Sequence, residues 1–469
     1  MNPIKYSIYF MALCCMGMIT PCKVNAQQVN SKNLVPLQQK FVDLKFGMFI
    51  HFNIPTFTNH DWPDPDASPD IFNPTRLDCK QWANAAKSAK MSYGCLTTKH
   101  HSGFCIWNTQ TTGYNVMNSP LKRDVVREYV DAFRQENLQV MLYYSILDTH
   151  HKLRPGFITQ QHIEMVKAQL TELLSNYGEI TALIIDGWDA PWSRISYEDI
   201  PFEEIYRLVK RLQPNCLLMD LNAAKYPSEV LYYTDIKSYE QGAGQHISKE
   251  YNRLPALSCY PLQENWFWKP SFPSAKLKDP KTLVKDNLEL FNKAYCNLIL
   301  NVAPNRDGLM DDNALAALNE IGKLWTDNTP PTPLPTFEPP VISENLAKHQ
   351  PVNSSWSDDM MIMDFGNDDD FSTSWRSNPE VAVPWYEITF PRYQSFNTIV
   401  VYDSKKSIRK YSLLYEQDGE WKTILSENND DKVKIHRFER VWGGKVKIVI
   451  EESTNPPAIA EFGVYNENR

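Results

Sequence analysis

Two hydrophobic periods alternate along the chain between positions 46 and 305. Short runs that are apolar at nearly every position read as strands buried on both faces: FGMFIHF (46 to 52), YGCLTTK (93 to 99), VMLYYSI (140 to 146), the ALII within ITALIIDGWDAPW (180 to 192), CLLMDLN (216 to 222), LYYTDIK (231 to 237) and NLILNVAPN (297 to 305). Between them lie LDCKQWANAAKSA (77 to 89), RDVVREYVDAFRQEN (123 to 137), ITQQHIEMVKAQLTELLSNYG (158 to 178), FEEIYRLVKRLQPN (202 to 215) and KTLVKDNLELFNKAYC (281 to 296), whose apolar residues recur every three to four positions, as on one face of a helix. Regular strand–helix alternation predicts a parallel α/β sheet, either closed into a barrel or doubly wound. A span of about 290 residues, with polar residues gathered at the C-terminal ends of the strands, favours a (β/α)8-like TIM barrel.

The period changes after TDNTPPTPLPTFEPPV (326 to 341), a proline-dense run that cannot continue a helix and reads as a semi-rigid linker. Beyond it WYEITF, NTIVVYD, YSLLYE, EWKTIL and KVKIVIEE alternate with period two between turn residues, the pattern of an antiparallel β-sandwich. The chain divides into an expected export segment (1–26), a barrel (27–326), a linker (327–341) and a sandwich (342–469). The export reading rests on an early lysine, an apolar stretch from Tyr6 to Ile19 and a small-residue end at Val24-Asn25-Ala26, the form of a cleaved signal peptide. It implies a periplasmic or secreted protein. No later stretch reaches the roughly 18 continuous apolar residues of a membrane span.

Composition narrows the function. A net charge of −8 without any Lys/Arg run argues against a nucleic-acid partner. Six cysteines remain after the export segment, scattered and without a CxxC pair, so they point to buried thiols rather than zinc or a disulfide scaffold. In a parallel barrel, side chains at the C-terminal strand ends converge on one mouth. His51 closes the first strand, His100 and His101 the second, Tyr143 and Tyr144 lie on the third, and Asp186 ends the fourth. With a side-chain period of two, Ala182, Ile184 and Asp186 share the luminal face. Gly187 permits a sharp turn there, and Trp188 and Trp192 can wall a sugar ring. Each residue also has a plainer reading, a hydrogen-bonded structural histidine or an Asp-Gly turn. Taken together they favour a polar cavity, since a carboxylate after four apolar residues needs donors around it. A metal-dependent barrel hydrolase using His51, His100, His101 and Asp186 would need two histidines spaced H-x-H on the first strand, and that spacing is absent.

KFGMFIHF, DW at 61 to 62, FNPTRLDCKQWANAAKSAKMSYGCLTTKHHSGFCIWNT, VMLYYS, LIIDGW and NLILNVAPNRDGLM, in this order over roughly residues 38 to 326, resemble glycoside hydrolase family twenty-nine, the retaining α-L-fucosidases. SENLAKHQPVNSSW, STSWRSN, WYEITF, SFNTIVVYD and KVKIVIEESTNPPAIAEFGVYN resemble a discoidin-like, coagulation-factor type C module with a galactose-binding-like fold. The resemblance implies Asp186 as catalytic nucleophile. His51, His100 and His101 match the histidines that hold the fucose hydroxyls, and are expected to act as hydrogen-bond donors. Asp61-Trp62 stands where the family usually has Glu-Trp, and Tyr143 lines the pocket. A retaining glycosidase also needs a second carboxyl as acid and base. Glu240, just past a strand end in YTDIKSYEQGAG (233 to 244), is favoured for it; Glu229 and Glu264 stay open, with Asp235 and Glu250 in the same window. Two departures stand out: Ile184 replaces a tryptophan, and no pocket arginine follows strand five, where Asn222 and Lys225 lie. The implied activity is an exported α-L-fucosidase acting on fucosylated oligosaccharides or glycoconjugates, without metal or organic cofactor. The alternative is a glycan-binding protein on the same scaffold.

Overall fold

A computed structural model describes residues 33–327 and 332–468, so the expected export segment lies outside the described residues. Eight parallel strands, β1 (Phe46–Ile50), β2 (Tyr93–Lys99), β3 (Gln139–Ser145), β4 (Ala182–Asp186), β5 (Leu217–Asp220), β6 (Lys237–Glu240), β7 (Ala256–Pro261) and β8 (Cys296–Asn301), pair in the order β5-β4-β3-β2-β1-β8-β7-β6. Phe49, Cys95, Tyr143, Ile184, Met219, Cys259 and Ile299, from seven of these strands, share one apolar cluster, which requires the sheet to be rolled into a barrel around them. Their neighbours of opposite parity, such as Leu96, Leu142, Leu183, Ile185 and Leu218, belong to a second, outer cluster under the helices. The helices are α1 (Leu34–Val42), α2 (Ile54–Thr58), α3 (Cys79–Ser88), α4 (Val125–Gln135), α5 (Gln160–Asn176), α6 (Phe202–Leu212), α7 (Pro280–Thr282) and α8 (Glu289–Lys293), joined by a π-helical turn, and α9 (Asp312–Leu324). Among the elements that the hydrophobic pattern does not reveal is β7, because its sequence, ALSCYP, is not continuously apolar.

The barrel has a seam. No ladder joins β5 to β6, and their connection holds a short 3-10 turn, Ala223–Lys225, where a crossover helix is usual. LYYTDIK, expected as a strand, crosses this seam instead. Tyr233 adopts φ 51°, which a strand cannot accommodate, and the segment pairs with the end of the proline-rich run through Tyr233 N to Val341 O (2.9 Å) and Val341 N to Leu231 O (2.8 Å). Asp235 then closes the gap. Its N–H donates to Leu218 O (2.8 Å), and its carboxylate accepts from Leu218 N (2.8 Å), Tyr206 Oη (2.8 Å) and Lys210 Nζ (2.7 Å). A side chain thus stands in for the missing strand partner, and Asp235 is used up in doing so.

The C-terminal part is one antiparallel sheet of β9 (Val352–Ser354), β10 (Trp375–Arg376), β11 (Trp385–Asp403), β12 (Ile408–Gln417), β13 (Glu420–Asn428), β14 (Val433–Ser453) and β15 (Ala458–Tyr465). WYEITF and NTIVVYD are two halves of β11. Its pairing with β14 shifts between Thr389 and Gln394 and again between Phe396 and Thr398. Across those shifts the core-facing residues change parity from Tyr386, Ile388 and Phe390 to Ile399 and Val401, so one long strand serves both walls of the sandwich. Val400 and Tyr465, on the opposite face, join the barrel's outer cluster, and Phe371 packs on Tyr226 and Tyr232. The two parts therefore share a core. In the proline-rich run, Leu334 N donates to Gln39 on α1 (2.7 Å), which ties the run to the barrel.

Asp235→Ala should destabilise the protein by about 3–5 kcal/mol in equilibrium urea unfolding, because it leaves the buried Lys210 ammonium without its anion and Leu218 N without an acceptor. A loss below about 1 kcal/mol, the scale of a surface pair, would show that Asp235 does not hold the seam.

Candidate active site

Asp186 ends β4 behind Ala182 and Ile184, and the residue is only 6% exposed. Tyr143 Oη donates to Oδ2 (2.6 Å), Gly187 N to Oδ1 (2.7 Å), and Asn222 Nδ2 more weakly to Oδ1 (3.4 Å). Burial pushes the carboxyl above the usual Asp range while these donors pull it back. Gly187 has φ 89°, and a Cβ there would press on the Leu147 backbone at 3.1 Å; only glycine turns the chain so abruptly beside the acid. Trp188 does not reach the mouth. It is wholly buried, its indole N–H donates to Ile200 O (3.1 Å), and it packs on Tyr197 and Phe202. The aromatic wall is formed instead by Trp62 and Trp192, both partly exposed and both against His101 (ring centroids 4.9 and 4.5 Å).

The paired histidines depend on a slip in the sheet. Between Thr97 and Lys99 the β2–β3 register shifts by one residue. Lys99 consequently lies behind the sheet, bonded to Tyr144 Oη (2.9 Å) and paired with Asp148 (3.3 Å), and His100 and His101 turn over the mouth with rings 3.9 Å apart. His101 Nδ1 meets Ser145 Oγ at 2.7 Å, and Ser145 gives its proton to Leu147 O (2.8 Å); Nδ1 must therefore carry the hydrogen, and bare Nε2 lies 3.7 Å from Asp186 Oδ2. His51 is fixed in the same way. Asn301 donates through Nδ2 to Trp266 O (2.8 Å), so its oxygen faces His51 Nδ1 (2.8 Å). Burial lowers His51 and His101 to about 3 and His100 well below the ordinary value, so all three are neutral. With Nδ1–H fixed, His51 and His101 present acceptor nitrogens, where the sequence suggested donors.

Glu240 ends β6, on the far side of the seam from β4 and β5. Burial, and then the charge of Asp186, push its carboxyl up to about 7 against a hydrogen bond from Trp266. The other acids in its window are placed differently. Glu229 pairs with Lys432 of the second domain (3.6 Å), Asp235 closes the seam, Glu264 lies within the field of Lys278, and Glu250 is exposed in a loop. Asp61 pairs with Lys269 (2.8 Å) at the rim, and Tyr143 stacks at 5.9 Å on His100. Ile184 belongs to the barrel interior, and Lys225 pairs with Asp189, leaving Asn222 as the amide beside Asp186. Sequence reasoning passed over Asn301 and Ser145, which set the histidine tautomers, and Asp220, a buried carboxyl raised to about 7 by burial with Asp186 also contributing. The available signal for Asp220 was the strand ending LLMD, which repeats the LIID of β4. An anionic carboxylate, a second carboxyl protonated near neutrality, neutral acceptors and an aromatic wall in one mouth suit a neutral polyhydroxylated ring. Among the described residues no group of three or more His, Cys, Asp or Glu is arranged to hold a metal ion.

Residues 58–329 match the family model described as Alpha-L-fucosidase, and residues 345–462 match the F5/8 type C domain. The chain is similar to Alpha-L-fucosidase 1 of Arabidopsis thaliana, 26% identical over 454 residues that cover 89% of this chain and 84% of that protein. It is also similar to the tissue alpha-L-fucosidase of Bos taurus, 24% identical over 336 residues, 62% of this chain and 68% of that one. In fold it is similar to alpha-L-fucosidase isoenzyme 1 from Paenibacillus thiaminolyticus, with a TM-score of 0.54 at 24% identity, covering 90% of this chain and 100% of that one.

Nitrogen-15 NMR at pH 5 should find His51 and His101 neutral with the hydrogen on Nδ1, since their lowered values place protonation well below the ordinary 6.5. Imidazolium signals at that pH would contradict the assigned tautomers.

Proposed function

Because the chain belongs to the α-L-fucosidase family of glycoside hydrolases, we propose that it removes terminal α-L-fucosyl residues from oligosaccharides or glycoconjugates by double displacement, with retention of configuration. Asp186 Oδ attacks the anomeric carbon as the glycosidic C–O bond breaks, and Glu240 gives its proton to the departing oxygen. Water, deprotonated by Glu240, then displaces Asp186 and regenerates both groups. The observation that carries this reading is that two carboxyls converge on one mouth in unequal environments. Asp186 has donors that favour its anion, while Glu240 keeps its proton up to about 7, partly because Asp186 is charged. When Asp186 becomes an ester that charge vanishes, one of the two causes raising Glu240 goes with it, and the acid of the first step becomes a better base for the second. His51, His100, His101, Asp61, Trp62 and Tyr143 surround the ring, with Tyr143 holding Asp186 in line. The acceptor nitrogens of His51 and His101 take hydrogens from sugar hydroxyls, and those bonds strengthen as positive charge grows on the ring.

The proposal includes export. It is supported by the form of residues 1–26, and amino-terminal sequencing of the secreted or periplasmic protein should begin just after Ala26.

Proton NMR of the first product formed should show α-L-fucose; β-L-fucose first would overturn the double displacement. The pH profile of kcat/KM should fall above about 7, as Glu240 loses the proton it must donate, and fall again at low pH as Asp186 protonates above its ordinary range. Asp186→Asn should lower turnover by several orders of magnitude. Glu240→Ala should retain much of its rate on aryl fucosides with good leaving groups, fail on natural oligosaccharides, and form α-L-fucosyl azide with added azide. Parent rates of this variant on natural fucosides would remove Glu240 from the role.

A further inference from the structure

We propose that Asp220 is a positioning residue for the nucleophile: it sets the turn that follows β5 and so aims the Asn222 amide at Asp186. The inference rests on the assignment of Asp186 above. On β5, Leu217 and Met219 enter the barrel interior while Leu218 faces the outer cluster, so Asp220 shares the outward parity and lies behind the strand, fully buried. It cannot touch substrate from there. Its Oδ1 accepts the N–H of Asn222 (2.9 Å), a side-chain turn that bends the chain over the strand end, and its Oδ2 accepts the Tyr197 hydroxyl (2.5 Å). The Asp220 N–H is itself anchored on Thr234 Oγ1 (3.2 Å), which passes its proton to Ile236 O (2.6 Å) across the seam. From this fixed turn Asn222 Nδ2 reaches back to Asp186 Oδ1 at 3.4 Å. A buried carboxyl is an expensive way to end a strand unless its bonds are needed, and here both oxygens are committed to holding the loop.

The direction of a pH shift separates positioning from charge. The titratable groups around Asp186 are Tyr143, His101, Glu240, Cys259 and Asp220 itself; around Asp220 they are Tyr197, Tyr226 and Asp186. If Asp220 acted only as a neighbouring charge, removing it would move the acidic limb of kcat/KM down or, since burial keeps its own proton on up to about 7, leave it unmoved. If it acts through Asn222, removing it costs Asp186 a donor and moves the limb up.

The test is a set of variants assayed on an aryl α-L-fucoside, with Tm recorded for each. Asn222→Ala should lower kcat about ten-fold with little change in KM and move the acidic limb up, since the lost amide favoured the anion. Asp220→Ala should reproduce both effects, and the double variant should be no worse than either single one, because both remove one interaction. Asp220→Asn should recover most of the rate: its oxygen can still accept Asn222 N–H while its amide donates to the Tyr197 oxygen. Multiplying losses in the double variant, an acidic limb that stays or moves down, or an Asp220→Asn as impaired as Asp220→Ala would overturn the proposal. Should Asp220→Ala fail to fold, Tyr197→Phe takes its place, since it strips one anchor without touching Asn222 or Asp186. It should give a smaller upward shift, and an unmoved limb would refute the proposal. Labelling with a fluorinated fucoside, followed by peptide mass spectrometry, keeps the two readings apart. If Asp186 carries no label the functional assignment falls; if it is labelled and the variants behave as the parent, only the role of Asp220 falls.

Discussion

Two carboxyls share one mouth, and burial together with their mutual repulsion keeps the second protonated up to about 7, so the architecture around this site decides which of them ionises first. Asp186 receives Tyr143, Gly187 and Asn222 as donors. Glu240 has burial and the repulsion of its neighbour against the bond of a single indole. The difference is made by backbone and second-layer groups: a glycine that can turn at φ 89°, a strand end fixed by Asp220, and a barrel interior that supplies Tyr143. The histidines follow from the same burial. Buried beside one another they stay neutral, and Asn301 and Ser145 choose which nitrogen His51 and His101 present.

The seam between β5 and β6 gives this arrangement its geometry, because Asp186 and Glu240 stand on opposite sides of it. Asp235 bridges the gap with side-chain bonds where a ladder is missing, and the second domain braces the same region. Val341 pairs with the crossing segment, Phe371 and Tyr465 pack on it, and Lys348 holds Glu198 in the loop that also carries Trp192. The sandwich is thus part of what keeps the two acids in register, quite apart from anything it binds.

Much of this was legible in the residues. Continuous apolar runs separated by helical periods marked six of the eight barrel strands, all but β6 and β7, and the period-two side chains of β4 put Asp186 in the lumen. The resemblance of the TKHHSGF stretch and its neighbours then supplied the chemistry. What escaped has a common cause: it depends on partners distant in the sequence. Trp188 looked like a pocket wall because it follows the acid, yet its indole finds Ile200 and turns away. LYYTDIK has strand composition, but Tyr233 bends to meet Val341. Asp220 ends a strand as Asp186 does, but with the opposite parity, and only the register of β5 tells the two apart.

The central claim is that burial and then the charge of Asp186 hold the proton on Glu240, and that covalent chemistry at Asp186 removes the second of these and loosens the proton. Carbon-13 NMR of the Glu240 carboxyl, titrated in the free enzyme and again after trapping with a fluorinated fucoside, measures this directly. A midpoint near 7 in the free enzyme that falls clearly in the trapped one is the predicted result; a midpoint unmoved by trapping would show that the two carboxyls are not coupled and would contradict the account.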